Sequence, residues 1–94
     1  MPEKEFEISI TNKSKIFVFF ETKKGKVERF AVVLLFRFEN TWQEISRYDT
    51  LHGTPHRDYL KRKFWLELPF DEALKFAIED FKKNWKKYLR YFKI

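Results

Sequence analysis

Both histidines of this 94-residue chain, His52 and His56, fall within the twelve residues Arg47 to Asp58, beside Asp49 and Asp58. An imidazole titrates near neutrality, so one ring can take a proton while another gives one. On RNA, one histidine would act as base on the ribose 2′-hydroxyl and the other as acid toward the leaving oxygen. Arg47 or Arg57 would steady the charge of the phosphorane, and Tyr48 or Tyr59 would stack on a base. The candidate catalytic set is therefore His52, His56, Arg47 and Asp49.

The same residues admit other readings. Asp49, His52, His56 and Asp58 are ligand types acceptable to zinc or manganese. The i,i+4 spacing of the histidines would join them on one helix face, but Gly53 and Pro55 oppose a helix, so no metal is expected. In a purely architectural reading, Asp49 caps a turn, Gly53 takes a positive φ, Pro55 stiffens the loop and each histidine donates to a backbone carbonyl. Neither Ser46 nor Thr54 has the setting of an acyl-transfer nucleophile.

Charge supplies a second candidate surface. The net charge is +6, and all fourteen acids lie before residue 81, balanced there by fourteen of the twenty Lys and Arg. The excess sits in the last fourteen residues, on Lys82, Lys83, Lys86, Lys87, Arg90 and Lys93. Concentrated charge makes a local positive field suited to polyanions. RNA and an acidic protein are the candidate partners, and a merely solvated helix face is the plain alternative. With Arg57, the residues Lys82, Lys83, Lys86, Lys87 and Arg90 form the expected nucleic-acid-binding set. A membrane surface ranks lower, because the apolar stripe of the same segment is needed for a core.

These residues need a scaffold. Phe6, Ile8 and Ile10 alternate with Glu5, Glu7 and Ser9, the period of a half-buried strand. Ile16 to Glu21 is β-branched and aromatic, with Ile16, Val18 and Phe20 on one face and Phe17 and Phe19 on the other, and Lys23-Lys24-Gly25-Lys26 reads as a hairpin turn. Val27 to Phe38 is apolar on both faces from Phe30 to Phe36 and should be a central strand. Trp42 to Tyr48 follows, then a loop from Asp49 to Leu60, then a fifth strand over Lys63 to Leu68. Asp71 is the expected N-cap of a helix of about 22 residues, long enough to cross a five-stranded sheet. Its stripe is Leu74, Ile78, Phe81, Trp85, Tyr88 and Phe92. The expected fold is a single α+β domain over residues 1–94, an antiparallel meander of about five strands packed by one long C-terminal helix. One helix covers one face, and Phe17 and Phe19 lie on the other, so the expectation is a homodimer burying that face or a sheet edge, the alternative being that the 49–62 loop folds over it.

Composition sets the bounds. No run approaches the ~18 apolar residues of a membrane span. Cysteine is absent, which excludes disulfides and thiolate metal sites. No signal peptide is evident at the N-terminus, and the cytoplasm is the expected location. Abundant Lys and Glu accord with a thermophilic source. Rossmann domains and barrels need more chain, and no cofactor is expected.

Arg47-Tyr48-Asp49, His52-Gly53 and Pro55-His56-Arg57-Asp58, with Glu72-Ala73-Leu74 and Asn84-Trp85 downstream, resemble a family of small uncharacterised prokaryotic proteins. Its pattern is R-Y/W-D-x-x-H-G-x-P-H-R-D followed by a helix with N-W-x-x-Y. More loosely, the chain is similar to the TumE-like toxins of toxin–antitoxin modules, thought to act on RNA. That resemblance puts Arg47, Tyr48, Asp49 and His56 at motif positions, with Asp58 where those proteins tend to have another histidine. It implies a small basic RNA-directed protein, a toxin-like ribonuclease using the 47–58 loop. The alternative is a non-catalytic interaction module whose basic helix binds an acidic partner.

Overall fold

The computed structural model describes residues 3–50, 53–60 and 62–92. Six strands come first: β1 (Glu3–Thr11), β2 (Ser14–Lys23), β3 (Lys26–Phe38), β4 (Thr41–Asp49), β5 (His56–Tyr59) and β6 (Arg62–Trp65). One helix, α1 (Phe70–Tyr91), follows. The strands form one antiparallel sheet in chain order. The molecule is α+β, a meander sheet packed by its C-terminal helix. Among the described residues no helix is long and apolar enough to cross a membrane.

Local chemistry explains the hairpins. Lys24 and Gly25 both take positive φ (53° and 78°), as a two-residue turn matching the strand twist requires. Between β1 and β2, the Lys13 amide donates to Thr11 Oγ1 at 3.1 Å, and the Thr11 and Ser14 hydroxyls lie 2.6 Å apart. Hydroxyl-to-backbone bonds of this kind favour turns.

α1 lies mainly on β3. Ala73 and Ala77, both wholly buried, present no bulk to the sheet, while Leu74, Phe81 and Tyr88 fill the space above Ile16, Val18, Phe30, Val32 and Leu34. Burying a ring such as Phe81 stabilises by about 2–3 kcal/mol. The stripe read from the sequence is this buried face, with Ile78, Trp85, Leu89 and Phe92 at its partly buried margins.

Two local expectations are corrected. Pro69, not Asp71, is the N-cap, and it offers no side-chain cap. Asp71 lies in the first turn, where its carboxylate favours the helix dipole. Its Oδ1 accepts from the Val27 amide at 3.1 Å, tying the helix start to the start of β3. The second correction concerns the expected loop from Asp49 to Leu60. Four of its residues, His56–Tyr59, form β5 and pair with β4. His-Arg-Asp-Tyr has no apolar alternation, and pairing with the β4 edge makes it a strand. The expected strand over Lys63 to Leu68 is β6, which ends at Trp65, although the Leu66 amide still donates to the Pro55 carbonyl at 2.8 Å.

The face away from α1 has no element over it among the described residues. Val33 is nonetheless 5% exposed, and Phe17, Phe19 and Leu35 are half-buried. Long charged side chains lie across it. Lys15 bridges to Glu7 at 2.9 Å and sits 4.2 Å from the centre of the Trp42 ring. Arg29 bridges to Glu21 at 3.1 Å and lies 5.8 Å from the Phe19 ring. Their aliphatic stems cover apolar surface while the charges stay wet. The face that suggested a dimer is thus half-roofed by the chain itself.

Candidate functional site

A bulge decides which side chains of β4 point where. Leu34 pairs with Ser46 but Leu35 with Glu44, so Ile45 is the extra residue and is buried in the core. Such a bulge re-aims the side chains beyond it. Tyr48 accordingly points beneath α1, while Arg47 and Asp49 point to the open face. β5 continues the rule: Tyr48 pairs with Arg57, Arg47 with Asp58, and Asp49 with His56. The alternation of two short strands thereby sorts the chemical segment into two clusters.

On the open face His56 is the centre. Its ring is 1% exposed and packs against Trp65, with centroids 5.0 Å apart. Nδ1 lies 3.1 Å from the Thr54 carbonyl oxygen. Nε2 lies 3.2 Å from Asp49 Oδ1 and 3.4 Å from Asp58 Oδ2. The outer carboxylate oxygens face bases: Asp49 Oδ2 is 3.5 Å from Arg47 Nη1, and Asp58 Oδ1 is 3.4 Å from Lys63 Nζ. Among the described residues, Asp49, His56 and Asp58 bring one ligand atom each within 4.8 Å of one another and could hold a metal. Beside them a pocket of about 240 Å³ is lined by Phe19, Arg29, Arg47 and Asp49.

On the covered face Asp80 of α1 is the centre. Its Oδ2 accepts from the Tyr48 hydroxyl at 2.7 Å and from the Tyr88 hydroxyl, and its Oδ1 accepts from Asn84 Nδ2 at 2.7 Å. Arg57 Nη1 donates to the Tyr88 hydroxyl at 2.7 Å, and the Tyr59 hydroxyl donates to the Tyr88 carbonyl. Burial and the bond to Asp80 hold the Tyr48 hydroxyl far above its ordinary pKa. The same two causes push Tyr88 up to about 12. Among the described residues, each face also carries one buried donor without a hydrogen-bond partner, Arg47 Nε and Arg57 Nε.

The structure thus brings Arg47, Asp49 and His56 together and adds Asp58 to them. His52 lies outside the described residues. Arg57 is on the other face, and the basic helix residues divide. Lys87 joins Arg57, Tyr59, Asn84, Tyr88 and Tyr91 around a pocket of about 190 Å³. Lys83 lines a neighbouring hollow with Phe76 and Asn84. At 3.6 residues per turn, Lys82 and Lys86 leave from the other flank of α1, and Lys86 lies 5.7 Å from the Trp85 ring. Arg90 is exposed in the last helical turn.

A second pocket, about 670 Å³, adjoins the first and shares Arg57 and Tyr59 with it, adding Leu60, Arg62, Lys63 and Phe64. Sequence reasoning missed Arg62, Lys63 and Phe64, although a basic pair beside an aromatic residue was the available signal. It also missed Asp80, whose partners lie 32 positions upstream and 8 downstream.

The fold and clusters define a small α+β protein with a polar site on each face of its β4–β5 pair. Over residues 1–94 the chain matches the family described as a domain of unknown function, DUF7718, and it belongs to that family. No curated protein and no solved structure matches it.

Proposed function

We propose that this protein binds single-stranded RNA along the groove between β5–β6 and the C-terminal half of α1. The observation that carries this reading is the pair of adjoining pockets that share Arg57 and Tyr59. Four bases, Arg57, Arg62, Lys63 and Lys87, alternate there with aromatic rings. Phe64 and Tyr91 are 55% and 57% exposed, which leaves these rings open to a stacking base. Bases that neutralise phosphates and rings that stack on nucleobases are the two requirements of single-strand binding. Arg57 is already stacked, 5.0 Å from the Phe64 ring and 5.5 Å from the Tyr88 ring. The likeness of Arg47-Tyr48-Asp49 and the Pro55-His56 segment to TumE-like toxins points toward RNA as well. The reading is one of binding, since the His56 ring is 1% exposed and His52 lies outside the described residues.

The test is binding of a labelled single-stranded RNA over a salt series. The triple variant Arg62→Gln, Lys63→Gln, Lys87→Gln should lose affinity and lower the log–log salt slope by about 2. Lys82→Gln with Lys86→Gln should bind almost as the parent does. The opposite ranking would place the contact on the other flank of the helix. No RNA binding at all, with dimers in sedimentation, would favour the interaction module.

A further inference from the structure

We propose that Asp49, His56 and Asp58 form a binding site for a divalent transition-metal ion of the zinc class. The site lies on the opposite face of β5 from Arg57 and Tyr59 and shares Lys63 with the RNA groove. Three observations carry it.

The first is the direction of the imidazole. A carbonyl oxygen only accepts, so the 3.1 Å contact to Thr54 places a proton on Nδ1. Nε2 is then the nitrogen that faces the two carboxylates. Metal-binding histidines are oriented in this way, their second nitrogen donating to a backbone carbonyl.

The second is distance. Nε2 stands 3.2 Å from Asp49 Oδ1 and 3.4 Å from Asp58 Oδ2. Ligand atoms about 2.0–2.1 Å from a tetrahedral ion stand ~3.3 Å apart, close to the two Nε2 contacts, and all three ligand atoms lie within 4.8 Å of one another.

The third is the division of labour within each carboxylate. Asp49 and Asp58 each turn one oxygen inward to Nε2 and the other outward to a base, Arg47 and Lys63 respectively. Outer partners of this kind fix the rotamers of ligating carboxylates. The three ligands come from paired strands, with His56 and Asp49 buried and the Asp58 side chain 40% exposed. That exposed side leaves a route for entry and room for water as a further ligand. One imidazole and two carboxylates suit zinc or its neighbours, with no thiolate to demand a softer ion.

The test uses tag-free full chain stripped with EDTA and titrated with Co²⁺ at neutral pH. The expected result is one-to-one binding with the visible absorption of a low-coordinate cobalt ion, displaced by Zn²⁺. Asp58→Asn, at a half-exposed position, should keep the parent's circular dichroism and lose the absorption. Lys63→Gln should weaken binding by about tenfold. Nitrogen NMR of the imidazole supplies a second reading: Zn²⁺ should shift Nε2 and leave Nδ1 protonated. Absence of saturable binding, binding unchanged in Asp58→Asn, or a doubly protonated ring that Zn²⁺ leaves unaltered would each overturn the proposal.

Discussion

The two faces of the β4–β5 pair carry polar clusters from the same dozen residues, yet the clusters are built on opposite principles. Beneath α1, one carboxylate is surrounded by neutral donors: Asp80 accepts from Tyr48, Tyr88 and Asn84, and Tyr88 in turn accepts from Arg57. On the open face two carboxylates converge on a single imidazole nitrogen, with bases at their outer oxygens. A carboxylate that accepts several hydrogen bonds under a helix joins layers together. Two carboxylates meeting at one nitrogen, each balanced by a base at its outer oxygen, bring three ligand atoms within 4.8 Å of one another. The difference gives the covered cluster a structural part beside the proposed RNA groove and leaves the open one as the proposed cation site.

The largest expected effect is on the covered side. Asp80→Ala leaves the buried Tyr48 hydroxyl and its neighbours without their shared acceptor, at a cost of about 3 kcal/mol. Urea unfolding measures it, and a loss well under about 1 kcal/mol would end the claim that this network joins helix to sheet.

Next comes pH. Tyr88 titrates at about 12 in the folded protein against 10.0 ordinarily. The stability linked to it is therefore complete below pH 10 and is lost as pH rises toward 12, by about 2 kcal/mol. Tyr48 contributes in the same direction. Tyr88→Phe should be less stable at neutral pH and flatter across that alkaline window. Equal slopes for variant and parent would show that the hydroxyl does not titrate with unfolding.

The smallest stability effect should come from the open side. Asp58→Asn disturbs a half-exposed ion pair with Lys63 and should cost less than about 1 kcal/mol. It should nonetheless remove metal binding, and that mismatch between stability and binding separates the two clusters most sharply. A cost as large as that of Asp80→Ala would make both clusters architectural.

Much of this molecule was legible in the order of its residues. Period-2 alternation in Phe6 to Ile10, the β-branched and aromatic run Ile16 to Phe20, the two-sided run from Phe30 to Phe36 and the 3-and-4 spacing of Leu74 to Phe92 are local signals. They specify strands and a helix without reference to anything distant. The concentration of histidine and aspartate between Arg47 and Asp58 was equally visible, as was the basic surplus after residue 81. The sequence could not show that His56–Tyr59 is a strand, because its ladder partner is supplied by β4 and not by its own composition. It could not show the bulge at Ile45, which sends Arg47 and Asp49 to one face and Tyr48 to the other. Nor could it separate Lys87 from Lys82 and Lys86, since the flank that meets the β5–β6 groove depends on how α1 is laid on β3. Local patterns determine which elements form; only their packing decides which side chains of those elements meet, because strand parity and helix rotation are set by contacts far apart in the chain.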